Sequence, residues 1–243
     1  MDFLQLEQKL GGWIDKLDQK DKKALLVRLA SLKSAFPFNE FEFRLMYLLN
    51  HKVITFEEYE QLRDGYSETN AHLELYGLAP RIFGEIWAQK HLVDIDPRFI
   101  KPSKQIDPKY VGDYDLYIQN GDGIIRVEVK ASRAINTKLR GNLVEKALGF
   151  ASEESYWMNF QQIKLTIVDA FVFIGVWTDT VHYWVLSNED VKTHPNISHQ
   201  HRGGVEYQIG ITDKNIQSFD KFLVEPKEIV DKIIYKNLLA ARG

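Results

Sequence analysis

Between Ile167 and Trp177 the chain reads IVDAFVFIGVW, an apolar run broken only at Asp169. A strand with one face in water alternates polar and apolar residues, and this run does not. It predicts a strand buried on both faces, which needs cover on each side. Thr-Asp-Thr then turns the chain back as VHYWVLS (181–187), and VEYQIGIT (205–212) reads as a further strand. No apolar stretch in the 243 residues approaches the roughly 20 needed to span a bilayer.

The covering elements come from the rest of the chain. Residues 1–75 read as helical. Leu4, Leu6 and Leu10 open the chain, and DKKALLVRLASL (21–32) has helical apolar spacing; Pro37 and Asn39 then break the pattern before FEFRLMYLLNHK (41–52). Thr55 with Glu58 forms a capping box for FEEYEQLRDGY. Paired helices of this kind suit packing or dimerisation better than DNA reading, because the second is acidic. PRIFGEIWAQKHL, from Pro80, predicts a helix carrying Glu85 beside its apolar stripe. Pro97, Pro102 and Pro108 punctuate the connection that follows, with a short edge strand at FIKPS. LVEKALGFASEESYWMNFQQIKL (143–165) predicts another helix, 188–204 a long polar loop, and the residues after Asp213 helical material through Asn237. The fold class is therefore α/β: a mixed sheet flanked by helices over 76–243, led by a helical region at 1–75.

One stretch carries chemistry. VGDYDLYIQNGDGIIRVEVKAS (111–132) reads as two strands joined at Gly-Asp-Gly. Alternation puts Asp113, Asp115 and Tyr117 on one face of the first strand; Arg126, Glu128 and Lys130 share a face of the second. Acids from neighbouring strands can meet there, with a lysine two residues beyond one of them. Two oxygen donors suit a hard divalent cation, and an adjacent ammonium suits a water nucleophile or a phosphate. The competing reading is a solvated ladder of opposite charges across a hairpin.

The net charge of −3 gives no global signature for nucleic acid, but a local one follows the hairpin. Arg126, Lys130, Arg133, Lys138, Arg140 and Lys146 face only Glu128 and Glu145 in that stretch. There are no cysteines, so disulfides, thiolate metal sites and cysteine nucleophiles are excluded. His194, His199 and His201 lack acids or cysteines at fixed spacing, which favours a flexible polar loop over a zinc cage; with Arg202 and two glycines the loop can reach phosphates or base edges. Trp157, Trp177 and Trp184 read as core. MDFLQLEQKL lacks a basic start followed by an apolar stretch, so no secretory leader and no membrane association are expected, and the compartment is the cytoplasm.

Asp115, twelve residues, then Glu128-Val129-Lys130 resembles the signature of the PD-(D/E)xK nuclease superfamily, which has the restriction-endonuclease-like fold. The resemblance covers roughly Pro80 to Trp177, including the order helix, strands, helix, strand. Tyr114 stands where the family's proline would be. The resemblance implies that Asp115 and Glu128 ligate Mg²⁺, that Lys130 orients or helps deprotonate water, and that Glu85 matches an acid many members carry on the preceding helix. Asp113 competes with Asp115 for the ligand position. Gln162 and Lys164 match a place where some members put a glutamine or lysine near the site. The implied activity is hydrolysis of double-stranded DNA by a homodimeric type II restriction enzyme in a prokaryotic cell, with a companion DNA methyltransferase. Arg133, Lys138, Arg140, His199, His201 and Arg202 are the expected DNA contacts. Repair, resolvase-like or phage-defence nucleases of the same fold, and a non-catalytic DNA-binding module, are the alternatives.

Overall fold

The computed structural model describes residues 3–31, 37–108, 110–199 and 206–240. The chain divides into two compact units: one of residues 1–77, 139–152 and 177–180, the other of 78–138, 153–176 and 181–243.

The first unit is helical: α1 (Phe3–Ile14), α2 (Gln19–Ser31), α3 (Pro37–Asn50), α4 (Phe56–Thr69) and the short α5 (Glu74–Gly77). Leu6, Leu10, Leu45, Leu48, Leu62 and Tyr66 are its buried stripe. The helix expected from residue 41 starts earlier: Pro37 is its first residue, where a missing N–H removes no helical bond. Thr55 and Glu58 close the capping box, with Thr55 N–H donating to Glu58 at 2.8 Å and Glu58 N–H to Thr55 at 3.1 Å. Phe41 stacks on Tyr66 at 4.2 Å.

The second unit begins with one long helical stretch, a π-helical segment Ile82–Trp87 running into α6 (Ala88–Ile95). Its main sheet has the order β1-β2-β5-β6-β9, from strands Leu116–Asn120, Gly123–Arg133, Ala170–Val176, Val181–Ser187 and Leu223–Val224. β1 and β2 form the expected hairpin, with Asn120 paired to Gly123 and Gly121 at φ +59 in the turn. Positive φ at the first loop position is the twist-compatible hairpin geometry that glycine permits. β2 and β5 are parallel, so the sheet is mixed. Every residue of β5 is buried, as the unbroken apolar run requires. Ile100 bridges Tyr117 on the outer side of β1.

The stretch 143–165 departs from expectation. Tyr156–Ile163 is not helix but strand β4, in a second sheet ordered β3-β4-β8-β7 (β3 Ile135–Asn136, β8 Tyr207–Thr212, β7 Ile197–His199). Tyr156, Met158 and Phe160 are buried and Trp157 is exposed, a period of two that the upstream helical spacing of Leu143, Val144 and Ala147 masks. Trp157 is accordingly not core; its ring covers Gly210, whereas Trp177 and Trp184 are fully buried. The crossover from β2 to β5 thus contains no helix of its own.

The polar stretch after Ser187 also acquires structure. A second capping box, Ser187 with Asp190, starts α7 (Asn188–Lys192), and β7 follows. Among the described residues after Asp213, only α8 (Ile229–Ala240) is α-helical, and it packs against β5 and β6. No helix among the described residues is long and apolar enough to cross a membrane.

Candidate active site

β2 lies between β1 and β5, and its alternation decides what points where. Ile125, Val127 and Val129 are buried on one face, and the strand packs against the π segment and α6. Arg126, Glu128 and Lys130 take the other face. The β1–β2 register begins at Leu116 with Val127, so Asp115 enters the hairpin beside the β2 stretch that carries Glu128. Asp115 stands just before the strand, and its N–H donates to Val127 O at 3.1 Å, out of step with the ladder.

Both oxygens of Asp115 are held. Oδ2 accepts from Val129 N–H at 2.8 Å, and Oδ1 accepts from Gln89 Nε2 on α6 at 2.8 Å. Glu128, 9% exposed, is paired with Lys130 at 2.7 Å through Oε1. Burial pushes the Asp115 carboxyl up; the Val129 N–H and Lys130 offset this only in part, and the Glu85 charge adds to it. Burial likewise pushes Glu128 up, and Asp115 reinforces it against the pull of Lys130 and Lys164. Burial thus makes both carboxylates costly to ionise, and Asp115 lies within electrostatic reach of Glu128.

The remaining residues separate by position. Glu85 lies in the π segment, exposed, with Arg81 Nε donating to its Oε2 at 2.8 Å. Asp113 belongs elsewhere: it lines a cavity of about 630 Å³ with Arg126, Asp169 and Lys236, and its Oδ1 is buried without a hydrogen-bond partner. Asp115, not Asp113, therefore joins Glu128 and Lys130. Lys164 follows β4 at a bulge where the exposed Gln162 adopts φ +56, so the charge that Lys164 brings to Glu128 comes from a strand end rather than a helix.

The expected DNA contacts scatter. Arg133 is buried, its guanidinium 3.9 Å from the Phe83 ring centroid and donating to Leu78 O at 2.8 Å; it braces the helix and presents nothing to a ligand. Lys138 is exposed and pairs with Glu154 at 3.0 Å. Arg140 is exposed in the first unit. His199 is exposed on β7 beside Tyr207, while His201 and Arg202 lie outside the described residues. His194 is buried, stacked on Phe219 at 4.3 Å, and its Nδ1 accepts from Asn196 N–H; burial pushes its pKa down. It packs in the core rather than in the flexible polar loop expected of it.

Among the described residues, no group of three or more His, Cys, Asp or Glu side chains is arranged to hold a metal ion. Asp115 and Glu128 alone still fit Mg²⁺, which binds through one or two carboxylates and fills its other positions with water and substrate phosphate. The residue missed from sequence is Gln89. Its signal was there, since it stands four residues after Glu85 and so on the same helix face. No protein-family model, curated protein or solved structure matches this chain.

Proposed function

We propose that this chain is a Mg²⁺-dependent endonuclease that hydrolyses phosphodiester bonds of double-stranded DNA, and that it does so as a sequence-specific type II restriction enzyme of the PD-(D/E)xK superfamily. One observation carries the reading: a half-buried carboxylate, Asp115, and a buried one, Glu128, lie close enough for the first to raise the second, with the Lys130 ammonium 2.7 Å from Glu128. Burial makes both carboxylates costly to ionise, a cost that a bound cation would offset. The restriction-endonuclease-like fold is supported by the order of the helix, the hairpin and the parallel strand beside it. The strand-built crossover to β5 departs from the family's helix.

In this reading Asp115 and Glu128 hold the cation, and Val129 N–H and Gln89 orient Asp115. When bound, Mg²⁺ supplies an acidified water and offsets charge on the phosphate. Lys130 shares its strand face with Glu128. With the carboxylates engaged, its ammonium is the donor available to the attacking water and to a phosphate oxygen. Glu85, on its exposed turn, adds a third acid beside Asp115. One such site cuts one strand, so symmetric duplex cleavage calls for a homodimer. A companion methyltransferase in a prokaryotic cytoplasm would protect the host's own sites.

Plasmid or phage DNA incubated with the protein and Mg²⁺ should give discrete fragments. Lys130→Ala should lower the cleavage rate by at least about 100-fold while the circular dichroism spectrum is unchanged. Full activity in that variant sinks the mechanism. Binding of duplex without cleavage by the parent chain, and no uptake of Mg²⁺, would instead favour a DNA-binding module.

A further inference from the structure

The nuclease reading gives roles to the acids and the lysine, but it leaves open what holds Asp115 where a cation can use it. We infer that Gln89 is a positioning residue: its side-chain amide, with the Val129 N–H, sets the orientation of the Asp115 carboxylate and thereby the affinity of the site for a divalent cation. The inference rests on the proposed function and concerns the same site.

The geometry is that of a clamp. Asp115 Oδ2 takes an N–H from the sheet and Oδ1 takes one from the helix, both at 2.8 Å. Two donors from different elements fix the plane of a carboxylate that would otherwise rotate. Each oxygen keeps a lone pair for a cation. The donor is also neutral. A lysine or arginine at this position would cancel the charge that attracts a cation, whereas glutamine orients the carboxylate without neutralising it.

Gln89 is in turn fixed from behind. Phe83, Trp87 and His91 recur every four residues; Phe83 stacks on Trp87 at 5.1 Å and Trp87 on His91 at 4.8 Å. The His91 ring nitrogen meets the Tyr183 hydroxyl at 2.6 Å, and Arg133 closes the other end over Phe83. This ladder sets the rotation of the helix on the sheet. The π-helical segment is part of the same device. An extra residue in a helical turn rotates everything beyond it by about 100°, so the widened turn at Ile82–Trp87 decides which face of α6 meets Asp115.

The test uses the full chain and Mn²⁺ alone, titrated by calorimetry and by electron paramagnetic resonance without nucleic acid. Gln89→Met keeps the length and removes the donor; Gln89→Asn keeps the amide and draws it out of reach. Both should weaken Mn²⁺ binding about 10–100-fold, with metal-free melting temperatures within a few degrees of the parent. The Gln89→Asn variant keeps the question answerable if Gln89→Met does not fold. Equal or tighter Mn²⁺ binding in a folded variant overturns the role of Gln89 and leaves the cation site standing. Absence of Mn²⁺ uptake by the parent chain overturns both the cation reading and this one.

Discussion

Asp115→Asn should make the metal-free protein more stable at neutral pH and inactive. The replacement is isosteric. Its Oδ1 can still accept from Val129 N–H, and the Gln89 amide can turn to offer Oε1 to the new Nδ2–H. What disappears is one half-buried negative charge within electrostatic reach of a second. The Asp115 and Glu128 carboxyls are both pushed above their ordinary values, chiefly by burial. The folded state therefore binds protons more tightly than the unfolded chain. Stability is full below the unfolded carboxylate range, near pH 4, and falls as pH rises through the raised folded values. The Asp115→Asn variant carries no such loss at this position, and Glu128 is freed of its neighbour's repulsion. Relief of this kind contributes on the order of 1 kcal/mol, or roughly 2–4 °C in melting temperature for a chain of this size. Melting curves from pH 3 to pH 8 in a chelator measure it. The advantage should be present at pH 7.5 and vanish at pH 3. Mg²⁺ should raise the melting temperature of the parent but not of the variant. A variant destabilised at pH 7.5, or one with the same gain at both pH values, refutes the argument that the carboxylate pair is strained without a cation.

Two further variants probe the frame around the site. Arg133→Met should lower stability by about 1–3 kcal/mol, because the guanidinium's bond to Leu78 O and its contact with Phe83 are buried; the salt dependence of DNA binding should be unchanged, and a shallower slope would return Arg133 to the DNA contacts. Gly175→Ala should destabilise by about 1–3 kcal/mol, since a Cβ there would meet the Trp184 ring at 2.7 Å and Met158 Sδ at 3.0 Å. Chemical denaturation measures both, and a neutral Gly175→Ala would mean that β4 and β6 approach β5 less closely than described.

Local rules carried much of this protein in the sequence itself. The doubly buried β5, the hairpin with its glycine turn, the shared face of Glu128 and Lys130, and the Thr55 capping box all follow from period, turn chemistry and short-range hydrogen bonds. These depend on residues a few positions apart, so a linear reading reaches them. Other outcomes depended on which surface another element came to cover. YWMNFQQI alternates as a strand should, yet only pairing with β8 decides for strand over helix. Asp113 and Asp115 are equivalent in pattern. The Val129 N–H and the reach of Gln89 give Asp115 to the site, while Asp113 goes to a separate cavity. Arg133 looks like a phosphate ligand in a basic run, and the packing of Phe83 turns it into a buried brace. In each case the residue's own chemistry allowed two uses. Choosing between them took a neighbour distant in sequence, because burial and desolvation, which set the value of a charge, exist only once the chain has closed over it.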